Sequence, residues 1–210
     1  DRASPFSFMG PKRVTPVPFS IADLPMIDVV VISHNHYDHL DEQSIRDIAT
    51  RQPQIKFLVP LGLKQLMLSW GAQDVTELDW WQPITVKGVT IQPTPVQHWS
   101  KRSAFDRNKT LWSGWMMNWP DFSFYFAGDT GYSDDFIETA RRLDLEKSLY
   151  DLGCGEGFFT KSFYRAKWKV ACCDFSAFGI SKHNKDMLPY FSSGDIFKQV
   201  KDAIQNEKRF

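Results

Sequence analysis

The sequence has little cysteine, no excess of either charge and no long apolar run. Its 210 residues include three cysteines, too few for a disulfide framework, so we expect a reducing compartment and a cytoplasmic protein. The 25 basic residues balance 25 acidic ones, which argues against a nucleic-acid-binding protein, because such proteins carry a basic excess. No apolar segment approaches the roughly 18 residues of a membrane span, and no basic-then-apolar segment resembles a signal peptide, so neither is expected.

The composition changes near residue 144. Up to Asp144 the net charge is −3, and from Leu145 onward it is +3. Seven of the eight tryptophans precede residue 145, whereas all three cysteines follow it. Short apolar runs alternate with helical patterns in both parts, which predicts an α/β fold class. We therefore predict two domains, residues 1–144 and residues 145–210.

Three of the five histidines lie within six residues, in the segment His34-Asn35-His36-Tyr37-Asp38-His39. The segment follows an apolar run at 27–33, a predicted buried strand, and precedes 41–51, a predicted helix with Asp41 as its N-cap. Alternation places the first two histidines on one side of the chain, and neutral imidazoles with carboxylates are usual ligands of zinc and similar ions. A polar loop with solvated histidines is the alternative, but this density of ligand types favours a metal site.

Two further candidate ligands follow other predicted strands. His98 comes after a strand predicted at 88–93, and Asp129 lies in a glycine-containing turn after an aromatic strand predicted at 122–127. Alone, each would be an ordinary structural histidine or turn aspartate, but loops at strand ends are where α/β sheets hold their ligands. The six candidate metal ligands are therefore His34, His36, Asp38, His39, His98 and Asp129.

These segments resemble the metallo-β-lactamase superfamily of binuclear metal hydrolases, and within it the branch of N-acyl-phosphatidylethanolamine-hydrolysing phospholipase D. The resemblance covers about residues 1–143 and is carried by SPFSFMGPKR (4–13), ISHNHYDHLD (32–41), QHWSKR (97–102) and FAGDTGYSDDF (126–136). It implies a partial αβ/βα sandwich, one or two zinc ions, and a small-molecule or lipid phosphodiester as substrate.

The resemblance also implies a role for each ligand. One ion would be held by His34, His36 and His98, the other by Asp38 and His39, with Asp129 as the bridge. A metal-bound hydroxide would attack the phosphodiester, and Asp38 would be the catalytic residue that orients it. The family has strands before the segment corresponding to Asp1 and a second half with one more histidine ligand. Because neither has a counterpart here, we expect a depleted second metal site.

Five tryptophans of the first part leave two interpretations open. A lipid-facing surface would make a peripheral membrane contact, since tryptophan favours the membrane interface. Packing in the core and loops is the alternative, and we favour it. The residues concerned are Trp80, Trp81, Trp112, Trp115 and Trp119.

A glycine-rich segment, YDLGCGEG at 150–157, lies between a predicted strand at 148–152 and a predicted helix at 158–166. Glycines there allow a tight turn and the close approach of a ligand to the backbone near a helix N-terminus. Asp174 ends the next predicted strand, where an acidic side chain can bind ribose hydroxyls. An unrelated α/β unit with a glycine-rich turn is the alternative.

With CDFS (173–176) and SGDIF (193–197), this segment resembles the first half of class I S-adenosylmethionine-dependent methyltransferases over about residues 147–198. The resemblance implies a partial Rossmann-like β-α-β unit with S-adenosylmethionine as cofactor. The residues that would bind it are Asp151, Gly153, Gly155, Gly157, Asp174 and Asp195. We therefore interpret the chain as a chimera of two incomplete domains, with metal-dependent hydrolysis as its function. Methyl transfer and an inactive chimera are the alternatives.

Overall fold

The computed structural model describes residues 3–4, 6, 8–12, 14, 19–121, 123–131, 133–143, 148–174 and 176–195. The chain divides into two compact units, residues 1–131 and 132–210. This division precedes the composition break at Asp144 because helix α3 (Asp135–Arg142) packs within the second unit, where Phe136 contacts Phe159. Residues 144–147, the predicted junction, lie outside the described residues, and the two predicted domains stay a prediction.

The first unit begins with a three-stranded parallel sheet in the order β1-β2-β3. The strands are β1 (Val29–Val31), β2 (Lys56–Pro60) and β3 (Asp74–Leu78). Helices α1 (Glu42–Arg51) and α2 (Lys64–Ser69) connect them, as expected for parallel neighbours, which need crossover connections. A 3₁₀ turn (Ile21–Asp23) precedes the sheet.

Helix α1 begins where its N-cap was predicted. The Asp41 carboxylate accepts a hydrogen bond from the Ser44 amide at 2.8 Å, which satisfies one of the amides left unpaired at a helix start. Ile45 and Ala49, four residues apart on one helix face, are buried. The start of α1 therefore fixes the end of the histidine-rich segment.

A four-stranded antiparallel sheet completes the first unit. Its strands pair in sequence order: β4 (Ile84–Val86), β5 (Val89–Thr94), β6 (Gly114–Asn118) and β7 (Ser123–Phe126). Lys87 and Gly88, both with positive φ, form the tight turn between β4 and β5. Strands β5 and β7 confirm the strands predicted at 88–93 and 122–127, whereas β6 lies in a region for which no strand was predicted.

Strand β2, the central strand of the parallel sheet, contributes side chains to two buried clusters of the first unit. Phe57 and Val59 face the helices, and Leu58 faces the antiparallel sheet, where it packs with Trp115. This double burial explains why β2 is apolar at successive positions. The Trp115 indole is fully buried and donates a hydrogen bond to the Ile32 carbonyl at 2.9 Å.

The structure bears on whether the tryptophans of the first unit pack in the core and loops or form a lipid-facing surface. Trp115 is part of the core, and the rings of Trp80 and Trp112 lie 6.1 Å apart, each with its indole N–H on a backbone carbonyl. These contacts confirm packing for these three residues. Trp119, by contrast, is 40% exposed.

The second unit has a three-stranded parallel sheet in the order β10-β9-β8. After α3 its elements are β8 (Ser148–Leu152), α4 (Phe158–Arg165), β9 (Lys169–Asp174), α5 (Phe178–His183), a 3₁₀ helix (Lys185–Tyr190) and β10 (Phe191–Ser193). This succession confirms the predicted β-α-β geometry, although not its methyltransferase identity. Cys172 and Cys173 are fully buried in β9. Across the described parts of both units, no helix has the length and apolarity required to cross a membrane.

Candidate metal centre

The six predicted metal ligands all lie in the first unit, in three loops that follow strand ends. Four of them follow β1, His98 follows β5, and Asp129 follows β7. The first loop turns back on itself because the amides of His39 and Leu40 donate to the His36 carbonyl at 3.1 and 2.8 Å. The turn brings the His39 ring to 4.3 Å from the ring of His34.

Backbone hydrogen bonds tie the three loops together. The Ser113 amide donates to the Ser33 carbonyl at 2.9 Å, next to His34. Gln97, which precedes His98, donates its amide to the Thr130 hydroxyl at 3.1 Å and accepts a hydrogen bond from the Gly131 amide at 2.8 Å. Residues beside the candidate ligands therefore help to hold the three loops in register.

Gly128 sets the approach of the Asp129 loop to the histidines. Its φ of +64° belongs to the left-handed region, and a Cβ built at this position would lie 2.8 Å from the Cβ of Ser33. A residue with a side chain would therefore push the turn away from the loop that carries His34. This contact explains physically why glycine stands directly before Asp129.

Three imidazole nitrogens converge on one point. His34 Nε2 lies 2.9 Å from His36 Nδ1, and His98 Nε2 lies 3.2 Å from each of these two atoms. Nitrogens that bind one tetrahedral zinc ion at roughly 2.0–2.1 Å would be separated by about 3.3 Å. The observed triangle therefore has nearly the size of one face of a zinc coordination tetrahedron.

The chemistry of these donors also fits a cation. Each neutral imidazole carries one N–H, so three ring nitrogens in a triangle cannot all be satisfied by one another. The Ser33 hydroxyl lies 3.0 Å from His34 Nδ1 and can hold the proton of that ring away from the cluster. His36 Nε2 is buried without a hydrogen-bond partner among the described residues, and a proton on this atom would leave Nδ1 free to coordinate. The residues present thus fit a zinc-like ion.

Asp129 belongs to two candidate ligand groups. Its Oδ2 lies 3.9 Å from His98 Nε2 in the first group and 3.1 Å from His39 Nε2 in the second. Asp38 completes the second group, with Oδ2 at 3.7 Å from His39 Nε2. The ligand atoms within each group all lie within 4.8 Å of one another. A carboxylate in both groups has the position of a bridge between two ions.

Burial keeps the histidines in their metal-binding form. Burial, together with the neighbouring imidazoles of His39, His98 and His36, lowers the pKa of His34 to about 3. Burial also lowers the pKa of His36 and of His98, although the Asp129 carboxylate opposes the shift at both rings. Neutral imidazole is the form that coordinates metal, so these ligands are ready to bind at neutral pH.

Sequence reasoning missed a residue that supports the centre, Arg102. Its Nη1 donates to the carbonyls of Asn35 and Leu40 at 2.9 and 2.6 Å, which lie near the two ends of the histidine loop. The guanidinium also stacks 4.0 Å above the Tyr37 ring, whose hydroxyl donates to the Arg102 carbonyl. The motif QHWSKR contained Arg102, but nothing in the sequence indicated which carbonyls it would bind.

Comparison with known proteins identifies the family of this fold and site. Residues 3–150 match the family described as the beta-lactamase superfamily domain. The chain belongs to the metallo-β-lactamase superfamily. The metallo-β-lactamase match contains all six candidate ligands and ends at Tyr150, the first residue of the glycine-rich segment, so it gives no support to the methyltransferase interpretation.

Proteins similar to this metallo-β-lactamase chain include two phospholipases. N-acyl-phosphatidylethanolamine-hydrolyzing phospholipase D 1 of Caenorhabditis elegans is 46% identical over 153 residues, which cover 68% of this chain and 43% of that protein. The mitochondrial enzyme of that name from Saccharomyces cerevisiae is 38% identical over 154 residues, which cover 70% and 33% of the two chains. The chain thus spans less than half the length of these curated relatives.

A solved structure shows the same fold. A protein of Veillonella parvula, described as a possible metal-dependent hydrolase, superposes with a TM-score of 0.60 at 18% identity. The superposition covers 85% of this chain and 78% of that one. At this identity the likeness concerns the fold alone.

The predicted cofactor-binding residues lie in the second unit, at the carboxyl ends of its parallel strands. Gly153, Gly155 and Gly157 all have positive φ, and the Gly155 amide donates to Asp174 Oδ2 at 2.9 Å. Asp195 follows β10, the strand beside β9, and is exposed. These residues therefore share one end of the sheet.

Asp151 differs from the other members of that set. Its carboxylate accepts a hydrogen bond from the Thr160 hydroxyl on α4, and burial raises its pKa to about 6. This contact ties strand β8 to helix α4 and gives Asp151 a structural role beneath the glycine-rich loop.

Proposed function

We propose that this chain holds the zinc centre of a metal-dependent hydrolase that cleaves phosphodiesters, lipid phosphodiesters included, in the manner of a phospholipase D. The observation that carries the proposal is the convergence of six ligand side chains into two groups that share Asp129. Two relatives named as phospholipases that hydrolyse N-acyl-phosphatidylethanolamine support the phosphodiester class of substrate. His34 is buried, whereas the side chains of Asp38 and Asp129 are exposed. The side of the centre that carries the two carboxylates is therefore open to a substrate.

The proposed mechanism gives each side chain a distinct task. When bound, zinc would lower the pKa of a water molecule and stabilise the charge that develops on the phosphate. The neutral imidazoles of His34, His36 and His98 would hold the first ion, and Asp129 would serve as a ligand in this group as well as in the group that contains His39. Asp38, whose side chain is 60% exposed, lies beside His39 and would accept a hydrogen bond from the attacking water. That contact would orient the water toward phosphorus.

The two ligand groups differ in strength. The first offers three imidazoles and one carboxylate, a full tetrahedral set. The second has only Asp38, His39 and the shared Asp129 among the described residues, and two of these are exposed carboxylates. We propose that one zinc ion is held tightly and a second one weakly.

The test begins with metal content. Purified protein, dialysed against metal-free buffer, is expected to retain one zinc ion by elemental analysis. His36→Ala should lose more than about 100-fold in zinc affinity, since even the loss of a group that only supports a ligand costs 10–100-fold. His183→Ala, which removes a histidine of the second unit, is the matched control and should bind zinc normally. No zinc in the parent chain, or equal affinity in both variants, would contradict the metal centre.

Hydrolysis is measured separately, with bis(4-nitrophenyl) phosphate as a soluble phosphodiester. Turnover by the zinc-loaded chain that is lost in His36→Ala and kept in His183→Ala supports the proposed function. Zinc binding without turnover would favour the alternative of an inactive chimera. The two measurements thus separate the metal site from the activity.

A second candidate function, binding of S-adenosylmethionine by the second unit, is favoured by one observation. The amide of Gly155 donates to Asp174 across the glycine-rich loop, so the loop and the acidic side chain that would hold a ribose meet at the start of α4. Calorimetric titration should detect weak binding that Asp174→Ala abolishes. Asp186→Ala, an exposed carboxylate elsewhere in the unit, should leave it unchanged. Equal binding by the two variants would contradict this assignment.

A further inference from the structure

The loop at 99–109, between His98 and strand β6, is a rigid projection of the first unit. The Asn108 amide donates to the Ser100 carbonyl at 2.8 Å, and the Ser100 hydroxyl donates to the Thr110 carbonyl at 2.6 Å. These bonds close the base of the loop. Near the start of the loop, the Lys101 amide donates to the Asn35 side chain at 2.9 Å, and this bond fixes the loop against the histidine segment 34–39. The side chains at its tip are therefore held in place.

The tip of this loop presents an apolar side chain to solvent. Phe105 is 87% exposed, although its own amide donates to the Ser103 hydroxyl and the carbonyl of the next residue, Asp106, accepts a hydrogen bond from the Lys109 amide. Trp99, at the base, is 37% exposed, and the Arg107 guanidinium lies 4.9 Å from its ring centre. A large aromatic residue held out by a rigid loop gains nothing from folding, because it buries almost no surface.

The loop also carries an excess of positive charge. Lys101, Arg107 and Lys109 are exposed, and none of them has an ion pair within the part of the chain that the structure describes. The single acidic residue of the loop, Asp106, is half-buried, and its carboxylate accepts hydrogen bonds from the amides of Arg102 and Ser103 at 2.9 and 2.7 Å. The outer surface of the loop is therefore cationic around an aromatic tip.

This cationic and aromatic surface adjoins the metal centre. The Trp99 ring packs edge-on against the His36 ring, with 4.3 Å between the ring centres. An open groove, lined by Tyr37, Trp99, Lys101, Arg102, Ser103 and Ala104, runs beside the loop. A surface that receives the loop would therefore also lie next to the zinc ligands.

We propose that the 99–109 loop docks the protein on an anionic phospholipid bilayer, with Phe105 in the interface and the three cations against the headgroups. Aromatic side chains favour the interfacial region, and basic residues are attracted to the negative surface of anionic membranes. The combination selects a bilayer over a soluble polyanion, which would attract the cations but offer no apolar region to Phe105. The inference deepens the proposed function by placing the site at a lipid surface.

The test measures sedimentation of the full chain with vesicles of phosphatidylcholine alone and of phosphatidylcholine with one quarter phosphatidylserine. We expect binding to the mixed vesicles only. The double variant Lys101→Glu, Lys109→Glu should bind at least about 25-fold more weakly, since each basic residue at a membrane contributes about fivefold. Lys167→Glu with Lys169→Glu makes the same change of net charge in the second unit, and should bind like the parent chain.

Phe105→Ser tests the aromatic contribution. We expect binding about tenfold weaker, a loss that corresponds to about half the burial of a phenylalanine side chain. Phe178→Ser is the matched control, because Phe178 is 71% exposed but lies in the second unit. Equal binding of both vesicle types, or parent-like binding of Phe105→Ser, would overturn the proposal. The latter result would show a cation patch without an interfacial anchor.

The docking surface and the proposed function are tested by different measurements, so one can fail without the other. Vesicle binding is measured on zinc-loaded and zinc-free protein, and turnover is measured on the soluble phosphodiester. Loss of vesicle binding in the loop variants with soluble turnover intact supports the docking surface. Turnover by a parent chain that binds no vesicles would leave the proposed function standing and refute the docking surface.

Discussion

At the scale of single residues, the centre depends on two kinds of side chain. The six candidate ligands could be selected from the sequence because imidazoles and carboxylates concentrated after strand ends are typical of metal sites, and the structure places their side chains in two groups that share Asp129. Arg102 was not predictable, since its partners are the carbonyls of Asn35 and Leu40, which only the folded chain places beside it. Every residue has a backbone carbonyl, so the residue types in a sequence do not indicate which carbonyls a side chain will bind.

Arg102→Lys should weaken the metal centre while it preserves the charge. Lysine lacks the planar fork that reaches two carbonyls and stacks on Tyr37. We expect zinc affinity to fall by about 10–100-fold, the range for a residue that supports metal ligands, and the free energy of unfolding to fall by about 1–3 kcal/mol. Zinc titration and urea denaturation measure the two effects.

Arg46→Lys is the control for this change. Arg46 is an exposed residue of α1, paired with Glu42 four residues earlier, and such pairs contribute little to stability. Its substitution should leave zinc affinity unchanged. If both lysine variants bound zinc like the parent chain, Arg102 would have no part in positioning the ligands.

At the scale of elements, the strands that end at the ligands were predicted, and one that supports them was not. Strands β5 and β7 show apolar or aromatic runs bounded by turn residues, which is the pattern of a strand. Strand β6 (Gly114–Asn118) has the sequence GWMMN, with no alternation of polar and apolar residues. Its assignment depends on pairing with β5 and β7 and on the burial of Trp115, which are tertiary effects.

A substitution of Gly128, in the turn after β7, tests whether zinc affinity depends on the position of Asp129. Gly128→Ala introduces strain at a φ of +64° and also a Cβ within 2.8 Å of the Ser33 Cβ. The strain should cost about 1–2 kcal/mol, and the displaced turn should carry Asp129 away from His39 and His98. We therefore expect weaker zinc binding in addition to lower stability.

Gly88→Ala separates these two effects. Gly88 has a φ of +82°, but a Cβ at this position would meet nothing within 4 Å. This variant should lose a similar part of the free energy of unfolding and keep the zinc affinity of the parent chain. If Gly128→Ala also kept full zinc affinity, the close approach to Ser33 would not be what places Asp129.

At the scale of the whole molecule, the described residues form three sheets, two before residue 131 and one after it, and each unit has its own buried clusters. The first unit has its core around Phe57, whereas the second has a cluster around Cys172 and Ile180. The composition break indicated two parts, but its position at 144 reflected residue counts and could not register that α3 packs on α4. Contacts of this kind are decided by packing and cannot be deduced from sequence composition.

Because each unit has its own sheet and core, we expect the full chain to unfold in two transitions. Seven of the eight tryptophans precede residue 131, so fluorescence reports on the first unit, whereas far-ultraviolet circular dichroism reports on both. Zinc at 100 times its dissociation constant should stabilise only the fluorescence transition, by about 2.7 kcal/mol. Phe163→Ala, which removes a buried ring that packs against the rings of Phe159 and Trp168, should destabilise only the other transition, by about 3–5 kcal/mol. A single transition that both changes shift would show that the two units unfold as one, and the metal centre would then depend on the second unit for its stability.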